Sequence, residues 1–108
     1  MSQMTSTFDV LAEPTRRRIL DLLRDDERPV NELVSTLKVS QPGVSKHLRV
    51  LREAGLVDVR QEAQRRIYSL RPDALAEVDE WLGSYRALWQ HRLDALHTEI
   101  SRGKRTQQ

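Results

Sequence analysis

One stretch of the chain carries side chains that can hydrogen-bond to base edges and to phosphates. It is the run SQPGVSKHLRVLREAG, from Ser40 to Gly55. Glutamine can pair with adenine and arginine with guanine, each through two hydrogen bonds, and lysine is a good partner for phosphate. These residue types indicate recognition of nucleic acid. The candidates for contacts to bases or phosphates are Gln41, Ser45, Lys46 and Arg49, and Arg52 is interpreted as a flank.

The same stretch is predicted to be one helix with an apolar back. Val44, Leu48 and Leu51 recur at four- and three-residue steps and therefore share one face of a helix. Ser40 can cap its start, and Gly55 can end it in a left-handed conformation. A packed back and a basic front suit a DNA major groove, but they also occur in an ordinary solvated surface helix. The neighbouring segments therefore decide between the two.

The segment before this helix completes a helix-turn-helix motif. Pro29 opens a predicted helix over residues 30–37, and a turn at residues 38–40 leads into the basic helix, so the motif covers residues 30–55. In such a motif the first helix crosses the DNA backbone and the second enters the groove. His47 lies beside a core-facing leucine, and we expect it to have a mainly structural role between the two helices, with a partial contact to DNA.

The segment after it predicts a β-hairpin. Val57–Arg60 and Arg65–Leu70 alternate apolar and polar residues, which is the period of a strand. With the polar link Gln61–Gln64 they are expected to form a wing over residues 56–70. The link lacks the Gly or Asn that a tight two-residue turn prefers, so we expect a longer or mobile tip. Three basic residues lie near the tip: Arg60, Arg65 and Arg66. They could contact phosphate or the minor groove, or they could protect an edge hairpin from aggregation, and both functions are open.

Three consecutive arginines, Arg16–Arg18, lie in the first turns of a predicted helix that begins at Pro14. Because successive residues of a helix point in different directions, the three cannot all face one ligand. We interpret most of them as solvated side chains with salt bridges to Asp21 and Asp25, and leave open that one contacts a phosphate.

A long helix is predicted from Pro72 to about Ser101. Its apolar residues recur at alternating three- and four-residue steps, and Trp81 and Leu88 widen this near-heptad stripe. A helix of about 30 residues spans roughly 45 Å, which is longer than a small core can cover. Only the first turns are expected to pack on their own domain. The simplest partner is the same helix of a second copy. The predicted dimer interface comprises Phe8, Leu11, Leu82, Tyr85, Trp89, Leu93, Leu96 and Ile100.

Composition excludes several classes of protein and of site. The 108 residues include no cysteine, which excludes disulfides, thiolate metal sites and cysteine nucleophiles. No catalytic constellation or Gly-rich phosphate loop is visible, so we predict neither enzymatic activity nor a cofactor. There is no run apolar enough for a membrane span and no signal peptide, so we expect a cytoplasmic location. The net charge is only +2, but 15 of the 18 basic residues are arginine, the better bidentate partner for phosphate and guanine.

The run VSQPGVSKHLRVLREAGLVDVRQEAQRRIYSL, from Val39 to Leu70, together with EPTRRRILDLL, resembles the ArsR family of bacterial winged-helix repressors. The resemblance covers roughly residues 7–100. The C-terminal run WLGSYRALWQHRLDALHTEI is similar to the last helix of a cysteine-free branch of that family. The resemblance implies a homodimer that binds double-stranded DNA at an inverted-repeat operator and represses transcription, often of its own operon.

Founding members of that family are released from DNA by metal binding, and this sequence departs from them at both known sites. The thiolate motif of the family falls at Glu32–Ser35, where no ligand pair is present. The site on paired last helices uses Asp and His at wider spacings than those of His91, Asp94 and His97. We therefore assign no metal and no effector, and keep these three residues as zinc ligands of an alternative hypothesis.

The predicted fold is mainly α with a small β-hairpin, namely a winged helix-turn-helix with a long C-terminal dimerisation helix. We expect a single domain over residues 1–102, with the dimerisation helix at 72–101 and a disordered tail at 103–108. The predicted function is sequence-specific regulation of transcription by a dimeric repressor. The alternatives are a winged helix that docks a protein partner through its long helix, and a metal-responsive repressor with a non-thiolate site.

Overall fold

Short helices and strands follow one another in the order expected for a winged helix-turn-helix. The structure, a computed structural model, describes the backbone of residues 6–106 and the side chains of residues 6–100. The chain divides into two compact units, Met1–Ala76 and Glu77–Gln108, whereas the sequence predicted one domain over residues 1–102. The elements are α1 (Thr7–Leu11), α2 (Pro14–Asp25), β1 (Arg28–Pro29), α3 (Val30–Leu37), α4 (Gln41–Glu53), β2 (Val57–Glu62), β3 (Arg65–Leu70) and α5 (Ala76–Thr106).

The helix-turn-helix is formed by α3 and α4, as predicted. The turn begins with Lys38 in a left-handed conformation (φ 57°), and its N–H donates to the Val34 carbonyl at 2.9 Å. Ser40 then caps α4, because its hydroxyl accepts a hydrogen bond from the Gly43 N–H at 3.2 Å. The chain leaves α4 through Gly55, which has a φ of 78°. The cap and the stop predicted from the sequence are therefore confirmed.

The apolar back of α4 lies in the core of the first unit. Val44, Leu48 and Leu51 are each 0% exposed, as their spacing predicted. Burial of an aliphatic side chain of this size stabilises a protein by about 1.5–3 kcal/mol, so these three residues fix which face of α4 points inward. The other buried residues of this core cluster are Val10, Ile19, Leu20, Leu23, Leu33, Leu37, Leu56, Val57 and Tyr68.

The sheet has three strands in the order β1-β3-β2, one more than the predicted hairpin. β2 and β3 pair antiparallel over their whole lengths, and the last pair before the turn is Glu62 with Arg65. β1 comprises only Arg28 and Pro29 and pairs with the other edge of β3. A strand of two residues has no alternation of polar and apolar side chains, so sequence patterning cannot reveal it.

The expectation of a longer wing tip is wrong. Because the strands pair as far as Glu62 and Arg65, only Ala63 and Gln64 remain as a two-residue turn. Ala63 has a φ of 56°, and a positive φ at the first central position is what tight hairpin turns require and what glycine or asparagine usually supplies. Here alanine adopts that conformation at a steric cost.

Replacing Ala63 by glycine is expected to stabilise the first unit by up to about 1.5 kcal/mol. The left-handed conformation costs a non-glycine residue about 1–2 kcal/mol, and the greater freedom of glycine in the unfolded chain offsets about 0.5–1 kcal/mol of the gain. Urea denaturation measures the difference in the free energy of unfolding. Ala12→Gly is the matched control, because Ala12 is exposed with an ordinary φ of −70° and should lose stability on the same substitution. A loss of stability in both variants would contradict a strained turn.

The last helix begins later and ends later than predicted. A 3-10 turn at Pro72–Leu75 precedes α5, which starts at Ala76 and continues through Thr106. Residues 103–106 of the predicted disordered tail are therefore helical, and the remainder of that tail, residues 107–108, lies outside the described residues. No helix in the described part of the chain is both long and apolar enough to cross a bilayer.

Candidate nucleic-acid interface

The solvent side of α4 presents the polar residues that the sequence singled out. Gln41, Ser45, Lys46 and Arg49 are all exposed. Ser45, Arg49 and the following Arg52 are four and three residues apart, so they share one helical face, next to the buried one. The helix therefore offers a row of hydrogen-bonding groups beside its packed face.

A cleft of about 370 Å³, the basic cleft, lies between this face of α4 and the wing. α4 contributes Ser45, Lys46 and Arg49 to its lining, and Arg66 reaches it from β3. The structure thus brings together residues that the sequence placed on separate elements, within one concave surface. The lining is completed by Pro42, Leu48, Arg52 and Tyr68.

The basic cleft carries positive charge that no nearby carboxylate neutralises. Lys46, Arg49, Arg52 and Arg66 form no ion pair with any residue that the structure describes. Cations without an acidic partner on one concave surface are what the binding of a polyanion requires. Other arginines of the first unit do have acidic partners, among them Arg28, Arg60 and Arg71.

Gln41 and Arg65, two of the predicted contact residues, do not line the basic cleft. Arg65 lines a second cleft, of about 340 Å³, where the wing meets Asn31 at the start of α3, and Arg66 lines both clefts. Arg65 is exposed and forms no ion pair within residues 6–100. Gln41 is exposed at the first residue of α4. The wing therefore presents cations to both of its sides.

Arg60 differs from its basic neighbours because it is held in ion pairs. Its guanidinium donates two hydrogen bonds to the Glu27 carboxylate, one of them at 2.6 Å, and a third to Glu62 at 2.8 Å. These bonds hold the pKa of the Glu27 carboxyl below its ordinary value and raise the pKa of the Arg60 guanidinium. Arg60 therefore fastens β2 to the segment before β1, and its charge is already neutralised.

His47 points away from the basic cleft, toward the start of α2. Its side chain is only 21% exposed. The Arg16 Nε–H donates to His47 Nδ1 at 3.2 Å, and His47 Nε2 lies 3.8 Å from Glu13 Oε2. These contacts are those of a structural residue, as expected. The partner of His47, however, is α2, whereas the sequence predicted the first helix of the helix-turn-helix.

The interpretation of Arg16–Arg18 as side chains paired with Asp21 and Asp25 is wrong. Neither aspartate forms an ion pair with these arginines anywhere in the described structure. The first two arginines instead donate to the backbone carbonyls of Val10, at 3.4 Å, and Leu11, at 2.8 Å. The last carbonyls of a helix lack intrahelical partners, so these guanidinium groups complete the end of α1.

Arg52 and Tyr68 line the basic cleft although the sequence did not suggest either as a contact residue. The three-residue step from Arg49 to Arg52 was a signal for the first, because it places the two on one helical face. Tyr68 is only 8% exposed and reaches the cleft from β3, two residues from Arg66. Its position depends on the pairing of the strands, which no local pattern shows.

The residues of the predicted dimer interface lie in both units. On α1, Phe8 is 39% exposed and Leu11 is half-buried, and on α5, Leu82 is half-buried. The others are large apolar side chains with 44–58% of their surface exposed, and helical spacing places them in one stripe along α5. They are Tyr85, Trp89, Leu93, Leu96 and Ile100.

Within one copy of the chain, residues at the two places where the resembled family holds metal make other contacts. Leu33 stands within the position of the thiolate motif and is fully buried in the core. On α5, Asp94 accepts a hydrogen bond from Gln90 at 3.1 Å. Within residues 6–100 of one copy, no group of three or more His, Cys, Asp or Glu side chains could hold an ion. The alternative zinc site at His91, Asp94 and His97 of paired helices stays a hypothesis.

Comparison with known proteins agrees with this architecture. A family model described as bacterial regulatory protein, arsR family, matches residues 13–59, from the cap of α2 into β2. The transcriptional repressor SdpR of Bacillus subtilis is 30% identical over 79 residues, which is 73% of this chain and 88% of that protein. The biofilm growth-associated repressor of Agrobacterium fabrum is 43% identical over 75% of this chain and 69% of its own length.

A solved structure gives the same result. The crystal structure of a possible transcriptional regulator for arsenical resistance is 44% identical, with a TM-score of 0.65 over 71% of this chain and 80% of that one. The predicted family and the predicted winged helix-turn-helix fold are confirmed. The chain belongs to the ArsR family of bacterial regulatory proteins, and it is a DNA-binding regulator of transcription and not an enzyme.

Proposed function

We propose that this protein is a homodimeric repressor that binds an inverted-repeat operator, in the upstream region of its own gene, through α4 and the wing. The observation that carries the proposal is the basic cleft, where exposed cations of α4 and β3 share one concave surface and have no acidic partners among the described residues. A helix with a packed back and a cationic front has the shape and chemistry to enter a major groove. The two relatives named as repressors support repression as the outcome.

Each proposed contact residue has a task set by its chemistry. Arg49 reads the edge of a guanine and Gln41 that of an adenine, each with two hydrogen bonds. Lys46 contacts a phosphate, which positions the helix without reading sequence. Further contacts, mainly to phosphates, come from Ser45, Arg52, Arg65 and Arg66.

A second copy of the chain is the proposed partner of α5. The helix has 31 residues, and its stripe of half-exposed aromatic and aliphatic side chains runs along it as far as Ile100. Exposed apolar patches of this kind mark interaction surfaces, and an identical helix matches the stripe in length and spacing. A two-fold dimer presents two α4 helices related by symmetry, so its operator is an inverted repeat with half-sites about 34–36 Å apart.

Titration of the protein against fluorescent DNA from upstream of its own gene tests the proposal. We expect saturable binding at low salt that is stronger than binding to a shuffled duplex of equal length, and a footprint of two half-sites. The affinity should fall steeply as salt rises, because each phosphate contact releases counterions. Failure to bind any of this DNA at low salt would contradict the proposed interface, and a footprint of one half-site would contradict the dimer.

A further inference from the structure

We propose that Arg16 is a positioning residue for DNA recognition and that it acts through the neutral imidazole of His47. The inference rests on the proposed function, because it concerns how α4 is held while its exposed side meets DNA. His47, which the sequence suggested as a partial DNA contact, then acts only indirectly, from the inner side of the helix.

The side chain of Arg16 joins three helices of the first unit. Its Nε–H donates to His47 Nδ1 on α4 at 3.2 Å, and its Nη1 donates to the Val10 carbonyl on α1 at 3.4 Å. Its backbone N–H, in the first turn of α2, donates to the Glu13 carboxylate at 3.3 Å. The same carboxylate lies 3.8 Å from His47 Nε2. Both nitrogen atoms of the imidazole therefore face groups from the start of α2.

These contacts require one protonation state of His47. A guanidinium only donates hydrogen bonds, so Nδ1 must carry a lone pair, and the single proton of the neutral ring lies on Nε2, toward Glu13. A proton on Nδ1 would remove the acceptor and place a second cation beside Arg16.

Few other groups act on the imidazole. Glu13 and Arg16 are the charged side chains within hydrogen-bond or ion-pair distance of it in the described chain. From α1 only the Val10 carbonyl takes part, by way of Arg16. On α4 itself, Lys46 and Arg49 line the basic cleft. The Arg16 guanidinium and the Glu13 carboxylate therefore hold this turn of α4 against the start of α2.

The position of His47 in α4 makes this anchor relevant to DNA. Lys46 directly precedes it and Arg49 follows two residues later, so the direction of the imidazole fixes the rotation of this turn about the helix axis. Hydrogen bonds weaken outside a donor–acceptor range of about 2.7–3.2 Å. A small rotation of the turn is enough to take the Arg49 guanidinium away from both acceptors of a guanine.

Three variants test the inference beside the wild type: His47→Asn, His47→Leu and Arg16→Gln. The asparagine Oδ1 can accept the hydrogen bond that Nδ1 accepts but takes up no proton, whereas leucine can do neither. At about pH 8 we expect operator affinity to fall about tenfold in His47→Leu and in Arg16→Gln, because each loses one hydrogen bond to a charged group. In His47→Asn we expect a change of less than about twofold. Anisotropy titrations measure the affinities, and thermal unfolding shows that each variant is folded.

The comparison of the two His47 variants separates positioning from mere stability. Both remove the imidazole ring, but only the asparagine keeps an acceptor for the Arg16 Nε–H. Operator affinity that is retained in His47→Asn and lost in His47→Leu therefore reports the hydrogen bond and not the packing of the ring. An equal loss of about tenfold in both folded variants would overturn the proposal, because the accepted hydrogen bond would then make no difference.

The remaining outcomes are also decisive. Wild-type affinity in a folded His47→Leu protein at about pH 8 would overturn the positioning role while leaving the proposed function intact. If His47→Leu does not fold, Arg16→Gln and His47→Asn decide in its place, and wild-type affinity in Arg16→Gln would overturn the positioning role. A wild type that does not bind the operator at about pH 8 would instead refute the proposed function, and the inference with it.

Discussion

Replacing Arg49 by alanine is expected to remove the preference for the operator while the protein stays folded and dimeric. Arg49 is exposed, lines the basic cleft and forms no ion pair within residues 6–100, so its loss leaves neither a cavity nor an unpaired carboxylate. A bidentate arginine–guanine contact discriminates against other bases by about 1–3 kcal/mol, and a dimer loses it at both half-sites, about 2–6 kcal/mol in all. The measurement is the ratio of affinities for operator and shuffled DNA at fixed salt.

Two further variants separate base recognition from charge. Lys46→Ala should weaken binding to operator and shuffled DNA by the same factor, because a phosphate contact carries no sequence information. Arg18→Ala removes an arginine that is also exposed but lines another cleft, beside Thr36 and Leu37, so it should leave the ratio unchanged. An operator preference that survives in Arg49→Ala would show that α4 recognises bases through other residues.

The helical part of the fold could be predicted because its signals are local. Val44, Leu48 and Leu51 share a face by spacing alone, and the signals at Ser40 and Gly55 act within one turn of the helix that they bound. The exposed donors of α4 follow from the same periodicity, since a residue that is off the packed face must meet solvent or a ligand. Both α4 and its exposed side were therefore open to prediction.

The wing itself was predicted, but its tight turn, its ion pairs and the contacts on the inner side of α4 could not be, because they depend on pairs of residues far apart in the chain. The pairing of β2 with β3 holds Ala63 in a conformation that alanine disfavours. Arg60 is neutralised by a carboxylate 33 residues earlier, and His47 is held by a guanidinium 31 residues earlier. A basic residue has the same local sequence whether it faces solvent, an acid or DNA. Sequence alone therefore locates the candidate site on the right helix and hairpin but cannot separate its free cations from its paired ones.

α5 exposes large apolar side chains at a spacing that a second helix can match. Trp89 is 51% exposed, Leu93 58% and Leu96 53%. Steps of three and four residues are those of paired helices in which each apolar side chain inserts between side chains of the partner. Each Å² of apolar surface that such pairing removes from water stabilises the pair by about 25 cal/mol. An aromatic side chain near the middle of this stripe is therefore where one substitution affects association most.

Trp89→Glu is expected to convert the proposed dimer into monomers and, in consequence, to weaken operator binding. Truncating a buried Trp or Phe costs about 3–5 kcal/mol. Burying a carboxylate adds a further cost in both copies. The dissociation constant of the dimer should therefore rise by a factor of about 100 to 1,000 or more. Operator affinity falls with it, because two unlinked half-site contacts replace one linked pair while α4 is unchanged. Ala87→Glu, which adds the same charge on the opposite, exposed face of α5, should stay dimeric. Sedimentation velocity measures the assembly, and a Trp89→Glu protein that sediments like the wild type would place the dimer contact outside this stripe.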